Sequence, residues 1–210
     1  MNFKYYDLLA NLIVGVVAFY ALWHFCFPEW EISEWMVLPA GYIIGFFLDA
    51  LSSILEPFFY WTIGGKPSGK LLNAKDRKPW TGLKRIRFYY SDQVVNLLKK
   101  DIQDDDASPD KQFSYAMRMV NANKDSRVPD FKSHYTLSRV ILTTIILAII
   151  IAEIRYYNVW YSWLISLGLL FLAWNRFKER GYYYTREVLN EYLKTKDSSR
   201  YADSKDLKGV

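Results

Sequence analysis

The sequence has little of the side-chain chemistry that many enzymes use, because its 210 residues include one cysteine and two histidines. The single thiol, Cys26, excludes an internal disulfide and a cysteine-based metal cluster. His24 and His134 lie far apart in the chain, which argues against a zinc site and against a histidine-activated nucleophile. We therefore expect that the protein is not an enzyme and that it has no catalytic residue, no metal and no cofactor.

Charge is also missing from long stretches of the chain. Leu8–Phe27 contains no acidic residue and no Lys or Arg, and about 20 residues of this kind cross the core of a bilayer. Further apolar stretches occupy Trp35–Ile63, Thr136–Tyr156 and Tyr156–Asn175. They predict an all-α integral membrane protein with four transmembrane helices in two hairpins and a helical cytoplasmic module. The expected domains are residues 1–63, 64–136, 137–177 and 178–210.

The second apolar stretch carries small or polar residues at intervals of four, which places them on one ridge of a helix: Gly41, Gly45, Asp49 and Ser53. A GxxxG pair lets another helix approach closely in lipid. A carboxylate inside a membrane is costly and is by default a functional hypothesis. Glu56 lies seven positions after Asp49, on roughly the same face. We predict that these five residues line a pore or a helix interface.

Two roles for Asp49 stay open at this point. In one, the carboxylate lines a water-filled path for cations or responds to protonation. In the other, it holds helices together by hydrogen bonds to Asn11 or to the pair Thr143 and Thr144.

Proline and arginine set the expected ends of the spans. Glu56–Pro57 predicts a break in the second helix, because the residue before proline disfavours helical geometry. Asp49 would then lie about 9 Å before the end of the span, in its cytoplasmic half. Arg139 and Arg155 are expected to snorkel at the two ends of the third span.

The charges between the spans indicate the orientation. Gly64–Thr136 contains 15 Lys/Arg and nine Asp/Glu, whereas Pro28–Glu34 contains three Glu and no basic residue. Because cytoplasmic loops are enriched in Lys and Arg, this segment and both termini are expected in the cytoplasm.

Apolar spacing inside this segment predicts helices over Leu83–Ile102 and over Lys111–Asn123, the latter beginning at Ser108–Pro109. Gly64–Gly82 has the composition of an irregular connection. After the last span, Arg176–Lys196 is expected to continue as a cytoplasmic helix, and Asp197–Val210 is expected to be disordered.

Basic and aromatic residues alternate in the segment 80–90, which suits phosphate neutralisation combined with base stacking. The predicted anionic-ligand residues are Trp80, Lys84, Arg85, Arg87, Lys99 and Lys100. The alternative is an amphipathic helix whose aromatics pack and whose charges face water or lipid head groups. Gly64–Leu71 has the spacing of a phosphate-binding loop but ends in leucine where Mg²⁺ needs Ser or Thr, so contact with anionic lipid is the expectation there.

Three segments carry a family resemblance: FKYYDLLANLIVG, PAGYIIGFFLDALSSILE and RFKERGYYYTREVLNEYL. They resemble small multi-pass bacterial proteins encoded with anti-phage defence genes, such as the membrane channels of Hailong-type defence. The resemblance implies a tetrameric channel in the bacterial inner membrane. It also implies a nucleotidyltransferase partner whose short DNA products control the channel through its cytosolic part.

Two functions are therefore expected. The first is an oligomeric channel or membrane-perturbing effector, gated by a nucleotide or oligonucleotide at the cytoplasmic module. The alternative is a non-catalytic membrane anchor or scaffold that recruits a cytosolic partner.

Overall fold

The computed structural model describes residues 5–26, 33–73, 88–121 and 126–206, and every regular element in these ranges is an α-helix. The prediction of an all-α protein is thereby confirmed for the described residues. The helices are α1 (Tyr5–Cys26), α2 (Glu34–Thr62), α3 (Pro67–Leu72), α4 (Ser91–Ile102), α5 (Pro109–Asn121), α6 (Val128–Tyr156) and α7 (Trp160–Asp206).

Two stretches among the described residues are long and apolar enough to cross a membrane. They are Glu34–Leu72, which contains α2 and the short α3, and Val128–Ile154 of α6. The stretch Asn11–Phe25 of α1 is apolar but shorter. The first part of α7, which contains most of the predicted span Tyr156–Asn175, is not among these stretches.

The chain divides into two compact units. Unit 1 comprises Met1–Thr62 and Ser133–Lys178, and unit 2 comprises Ile63–Lys132 and Glu179–Val210. Both α6 and α7 continue from one unit into the other without a break in the helix. The sequence predicted four domains that end at residues 63, 136, 177 and 210, whereas the chain passes between the two units after residues 62, 132 and 178.

In unit 1, α1 and α2 pack closely and antiparallel. The Cα of Gly15 lies so near α2 that an added Cβ would fall 2.5 Å from the backbone nitrogen of Gly45. An added Cβ at Gly45 would in turn fall 2.7 Å from the carbonyl carbon of Asn11. Small residues on both helices therefore allow backbone to touch backbone. Val14, Ala18, Leu48 and Val140 form an apolar cluster that joins α6 to this pair.

The outer surface of unit 1 is apolar. Large hydrophobic side chains of α1, α2, α6 and α7 are exposed, including Ile13, Val17, Phe46, Phe47, Ile54, Ile150, Leu164, Leu167 and Leu172. A surface of this kind on four helices is typical of contact with lipid or with other protein.

The predicted break at Glu56–Pro57 is wrong, because α2 continues through Pro57 to Thr62. A proline removes one backbone hydrogen bond, and helices in apolar surroundings tolerate this loss when neighbouring groups compensate. The helix ends instead before Gly64 and Gly65, whose φ angles of 77° and 115° favour glycine.

Unit 2 has a conventional buried core. It is formed by α3, α4, α5, the start of α6 and the later part of α7, and includes Leu71, Phe88, Val94, Leu98, Ala116, Val120, Val128, Tyr182, Leu189 and Tyr192. The predicted start of α5 is confirmed, since Ser108 Oγ accepts a hydrogen bond of 3.3 Å from the backbone nitrogen of Lys111. Pro109 is the first residue of that helix.

Three expectations for unit 2 are wrong in part. The connection Gly64–Gly82 contains the short helix α3, whose leucines enter the core. The described part of Leu83–Ile102 becomes helical only at Ser91, and Tyr89 and Tyr90 lie in an exposed turn. Helix α7 extends through the predicted disordered tail to Asp206, because no proline and no glycine interrupts it there.

Candidate functional site

A charged cluster in unit 1 joins α6 to α2. The guanidinium of Arg139 on α6 donates through Nη1 to Glu56 Oε2 and through Nη2 to Asp49 Oδ1 at 3.1 Å. Nη2 also donates to Ser53 Oγ at 2.8 Å, and Nε donates to Ser52 Oγ at 3.1 Å. All three guanidinium nitrogens therefore bind side chains of one helix.

The spacing of the four α2 residues explains why one arginine reaches them all. Asp49, Ser52, Ser53 and Glu56 occupy positions i, i+3, i+4 and i+7, which lie on one face of an α-helix. The planar guanidinium has five N–H donors in a fixed geometry, so it can bind along such a face where a lysine could not.

Backbone hydrogen bonds orient the two serines. Ser52 Oγ donates to the Asp49 carbonyl oxygen at 2.7 Å, and Ser53 Oγ donates to the same oxygen at 3.0 Å. Because each hydroxyl proton is used within α2, each oxygen presents its lone pairs to Arg139. The two serines thus add hydrogen-bond acceptors for Arg139 beside the carboxylates, without adding charge.

Two tyrosines extend the network along α2. Tyr135 OH donates to Glu56 Oε1 at 2.7 Å, and it lies 2.5 Å from Tyr60 OH. Since Tyr135 has given its proton to the carboxylate, Tyr60 must be the donor of the second bond. The Tyr135 ring also packs against Phe177 of α7, with 5.6 Å between ring centroids. The network therefore contacts three helices of unit 1.

Burial is uneven across the cluster. The Arg139 side chain is 11% exposed, the Glu56 side chain 25% and the Asp49 side chain 34%. Ser53 is exposed as well. With all three groups ionised, two carboxylates and one guanidinium have a net charge of −1. The enclosed cation thus faces inward, and the excess negative charge lies at the surface of the helix bundle.

Asp49 lies farther from the end of its helix than the sequence predicted. Asp49 lies 15 residues after Glu34 and 13 before Thr62, which at about 1.5 Å per residue places it near the middle of α2. The cytoplasmic-half position depended on a helix break at Pro57, which the structure does not contain.

The partners proposed for Asp49 from the sequence are also wrong. Thr143 and Thr144 donate to carbonyl oxygens of their own helix, at 3.1 and 2.9 Å. Asn11 meets α2 through its backbone, which lies against Gly45. The carboxylate binds Arg139, which does not snorkel at the end of a span.

A signal for this pairing was present in the sequence. Arg139 is a basic residue in an apolar helix, and such residues usually pair with another charge in the same bundle. Asp49 and Glu56 were the acids on the neighbouring span. Arg139 lies near the start of the apolar run, so the sequence indicated a residue at the end of a span. Helix α6 begins at Val128, and Arg139 therefore lies well inside the helix.

Most of the predicted anionic-ligand residues, namely Trp80, Lys84, Arg85 and Arg87, lie outside the described residues. Lys99 and Lys100 lie in the last turn of α4, where a cation interacts favourably with the helix dipole. Lys99 is half-buried and Lys100 is exposed. Lys70 belongs to the segment that has the spacing of a phosphate-binding loop. Its ammonium group donates to the Ile63 carbonyl oxygen at 2.9 Å and so binds the backbone.

The acidic loop after α4 is held by lysine. Asp104 Oδ2 accepts a hydrogen bond of 2.6 Å from Lys111 Nζ, and this bond keeps the pKa of the Asp104 carboxyl below its usual range. No group of three or more His, Cys, Asp or Glu within the described ranges could hold a metal ion.

Comparisons with known protein families, with curated proteins and with solved structures found no match for the chain.

Proposed function

We propose that the chain is an integral membrane protein whose copies associate through the Asp49 face of α2 and conduct cations, under the control of an anionic ligand at unit 2. One observation carries the proposal: a net-negative, partly exposed cluster lies halfway along a helix that is long enough to cross a membrane. The proposal includes four spans, formed by α1, α2 and the unit 1 parts of α6 and α7.

The exposure of Asp49 is the first step. About a third of this side chain lies at the surface of unit 1, next to the exposed Ser53. Lipid tails cannot solvate a carboxylate, so ionisable groups in spans face protein or a water-filled cavity. A second copy of the chain or a water-filled path must therefore cover this face.

The sign of the charge gives the expected selectivity. Glu56 and Asp49 carry two negative charges, and Arg139 compensates one of them. Rings of acidic side chains favour cations in pores. Repetition of the cluster around a symmetry axis would place one surplus negative charge per copy on the shared path.

The surface of α7 supports a fourth span. Leu164, Ile165, Leu167 and Leu172 are exposed on several sides of the helix, which suits lipid better than water. Trp160 and Trp174 lie near the two ends of this stretch, as interfacial aromatics do.

Control from unit 2 is supported by the continuity of two helices. Helix α6 begins within unit 2 and carries Arg139 in unit 1, and the proposal is that a ligand bound to unit 2 acts on the cluster through this helix. The basic segment 80–90 together with Lys99 and Lys100 would receive the anion.

The placement of the spans is tested by cysteine labelling in a Cys26→Ser background. We expect that Leu167→Cys and Phe47→Cys in vesicles resist a water-soluble maleimide, whereas Gln93→Cys, exposed in unit 2, reacts. Equal labelling of Leu167→Cys and Gln93→Cys would remove α7 from the membrane.

Ion flux into liposomes that contain the purified full chain tests conduction, with short oligodeoxynucleotides as probe ligands. We expect potassium flux to exceed chloride flux, to respond to the oligonucleotide, and to fall with Asp49→Leu. Asp105→Asn, a matched removal of an exposed acid in unit 2, should leave flux unchanged.

Flux that is indifferent to Asp49→Asn and Asp49→Leu would contradict the proposed path. Flux that is indifferent to reversing the charge of Lys84, Arg85 and Arg87 would contradict the ligand site. Absence of flux under every probe, together with a co-purifying cytosolic partner, would favour the membrane scaffold.

A further inference from the structure

A cleft of about 400 Å³ lies between α6 and α7 of unit 1, at a distance along the helices from the Arg139 cluster. Its wall is mainly apolar, with Ala148 and Ala152 from α6 and Ile165 and Leu169 from α7. Small side chains on α6 leave the space open. Clefts of this size with an apolar lining and few polar groups are typical of small-molecule sites.

The polar part of the wall is built around Glu153. Ser162 Oγ donates to Glu153 Oε1 at 2.9 Å, and Ser166 Oγ donates to the same oxygen at 2.6 Å. Both serines line the cleft, and Glu153 is more than nine-tenths buried behind them. Among the described residues, its second oxygen, Oε2, has no hydrogen-bond partner.

This arrangement determines what the cleft offers to a ligand. Each serine has one hydroxyl proton, and both protons bind the carboxylate. The serine oxygens therefore present lone pairs, with a negative charge directly behind them. A group that donates hydrogen bonds and carries positive charge complements this wall, whereas an anion is repelled.

We infer that the cleft binds a membrane amphiphile with an alkyl chain and an ammonium head group. The chain lies against the alanines and the α7 aliphatic residues. The ammonium group contacts Ser162 and Ser166 and is held by the charge of Glu153. The nearby Tyr156 and Tyr161 suit the boundary between hydrocarbon and head groups. The inference rests on the proposed membrane location but not on conduction, because it uses none of the residues of the Arg139 cluster.

Native mass spectrometry of the detergent-solubilised full chain counts bound probe. The probes are dodecylamine, lysophosphatidylethanolamine, dodecanoate and dodecanol. We expect dodecylamine to bind about tenfold more tightly than dodecanoate, which corresponds to one charge-assisted hydrogen bond. If lysophosphatidylethanolamine displaces bound dodecylamine, a lipid head group is the source of the ammonium. If it does not, the source is a free amine.

Three variants locate the binding. Glu153→Gln should reduce dodecylamine binding to the level of dodecanol, while Glu187→Gln, a half-buried acid of unit 2, should not. The double variant Ser162→Ala/Ser166→Ala should have the same effect as Glu153→Gln. It replaces Glu153→Gln in the experiment if the Glu153→Gln protein does not fold. Ala148→Phe should reduce the binding of dodecylamine and dodecanol alike, because it fills the cleft.

Equal binding of dodecylamine and dodecanoate would overturn the inference, as would a preference that survives both the Glu153 and the serine variants. Unchanged occupancy in Ala148→Phe would place the probe elsewhere and would have the same consequence. Disulfide-linked dimers of Ala152→Cys in a Cys26→Ser background would assign the cleft to a second copy and would also overturn it.

Discussion

The two units are built from the same element, the α-helix, but distribute charge in opposite ways. Unit 1 exposes large apolar residues and holds Arg139 and its carboxylate partners within the bundle. Unit 2 buries leucine, valine and tyrosine in one core. Its pairs Lys66–Asp110 and Lys111–Asp104 lie at the surface.

The difference teaches which forces hold each unit together. Burial of apolar area away from water stabilises unit 2. In the proposed membrane location, lipid would remove most of this driving force from unit 1, and close backbone contact and buried polar bonds would hold the helices. Two of the predictions compare a substitution in one unit with a matched one in the other, the third compares two glycines of unit 1, and the fourth concerns unit 2 alone. All of them are measured by unfolding of the full chain in mixed micelles.

The largest effect is expected for Arg139→Met. It leaves Asp49 and Glu56 without their cation, and breaking a buried ion pair on one side costs about 3–5 kcal/mol. Arg118→Met, an exposed arginine of α5 in unit 2, is the control and should change little. If Asp49→Asn and Glu56→Gln added to Arg139→Met recover none of the loss, the charges are not its cause.

The next effect is expected for Leu98→Ala in unit 2. Leu98 is fully buried in the core, and truncation of such a leucine costs about 3 kcal/mol in unfolding free energy. Leu167→Ala in unit 1 removes the same atoms from an exposed position and should cost far less. Similar losses at the two positions would show that Leu167 is covered by protein.

A smaller loss, about 1–3 kcal/mol, is expected for Gly45→Ala, because the added methyl group meets the backbone of α1 and forces the helices apart. Gly168→Ala is the matched control, since nothing lies within 4 Å of a Cβ added there. Alanine is the better helix former, so Gly168→Ala should be neutral or stabilising. A neutral Gly45→Ala would contradict the close α1–α2 contact.

The smallest effect concerns the surface pair of unit 2. Because Lys111 lowers the pKa of Asp104, the folded state is favoured above the ordinary aspartate pKa of about 4. This contribution is lost as pH falls through the lower folded-state pKa. Asp104→Asn should therefore slightly reduce the dependence of the unfolding free energy on pH in the acid range. An unchanged dependence would show that the pair is too exposed to contribute to stability.

Helix positions followed closely from local sequence, as the Ser108–Pro109 start of α5 shows. The exceptions have local causes. Pro57 lies within α2 without ending it, and the tail after Lys196 has no proline or glycine that stops α7 before Asp206. Propensity is a weak guide where packing or the absence of a stop signal decides the end of a helix.

The candidate cluster was predicted in part. The row from Gly41 to Glu56 followed from helical spacing, whereas the pairing with Arg139 did not. The cleft beside Glu153 was not predicted, for the same reason. The spacing of residues within α6 does not show that Ser162 and Ser166 of α7 bind the Glu153 carboxylate.

The sequence by itself predicted a helical chain with four apolar stretches, and a ridge of small and acidic residues on the second of them. Two of these stretches are long and apolar enough in the structure to cross a membrane. These properties depend on residues within a few turns of each other. Only the tertiary structure decided that Arg139 binds Asp49 and Glu56, which lie 90 and 83 positions away, and that Asp49 lies at the middle of its helix. A charge inside an apolar bundle takes its partner from whichever helix packs beside it, and helix packing is not encoded in the spacing of either segment alone.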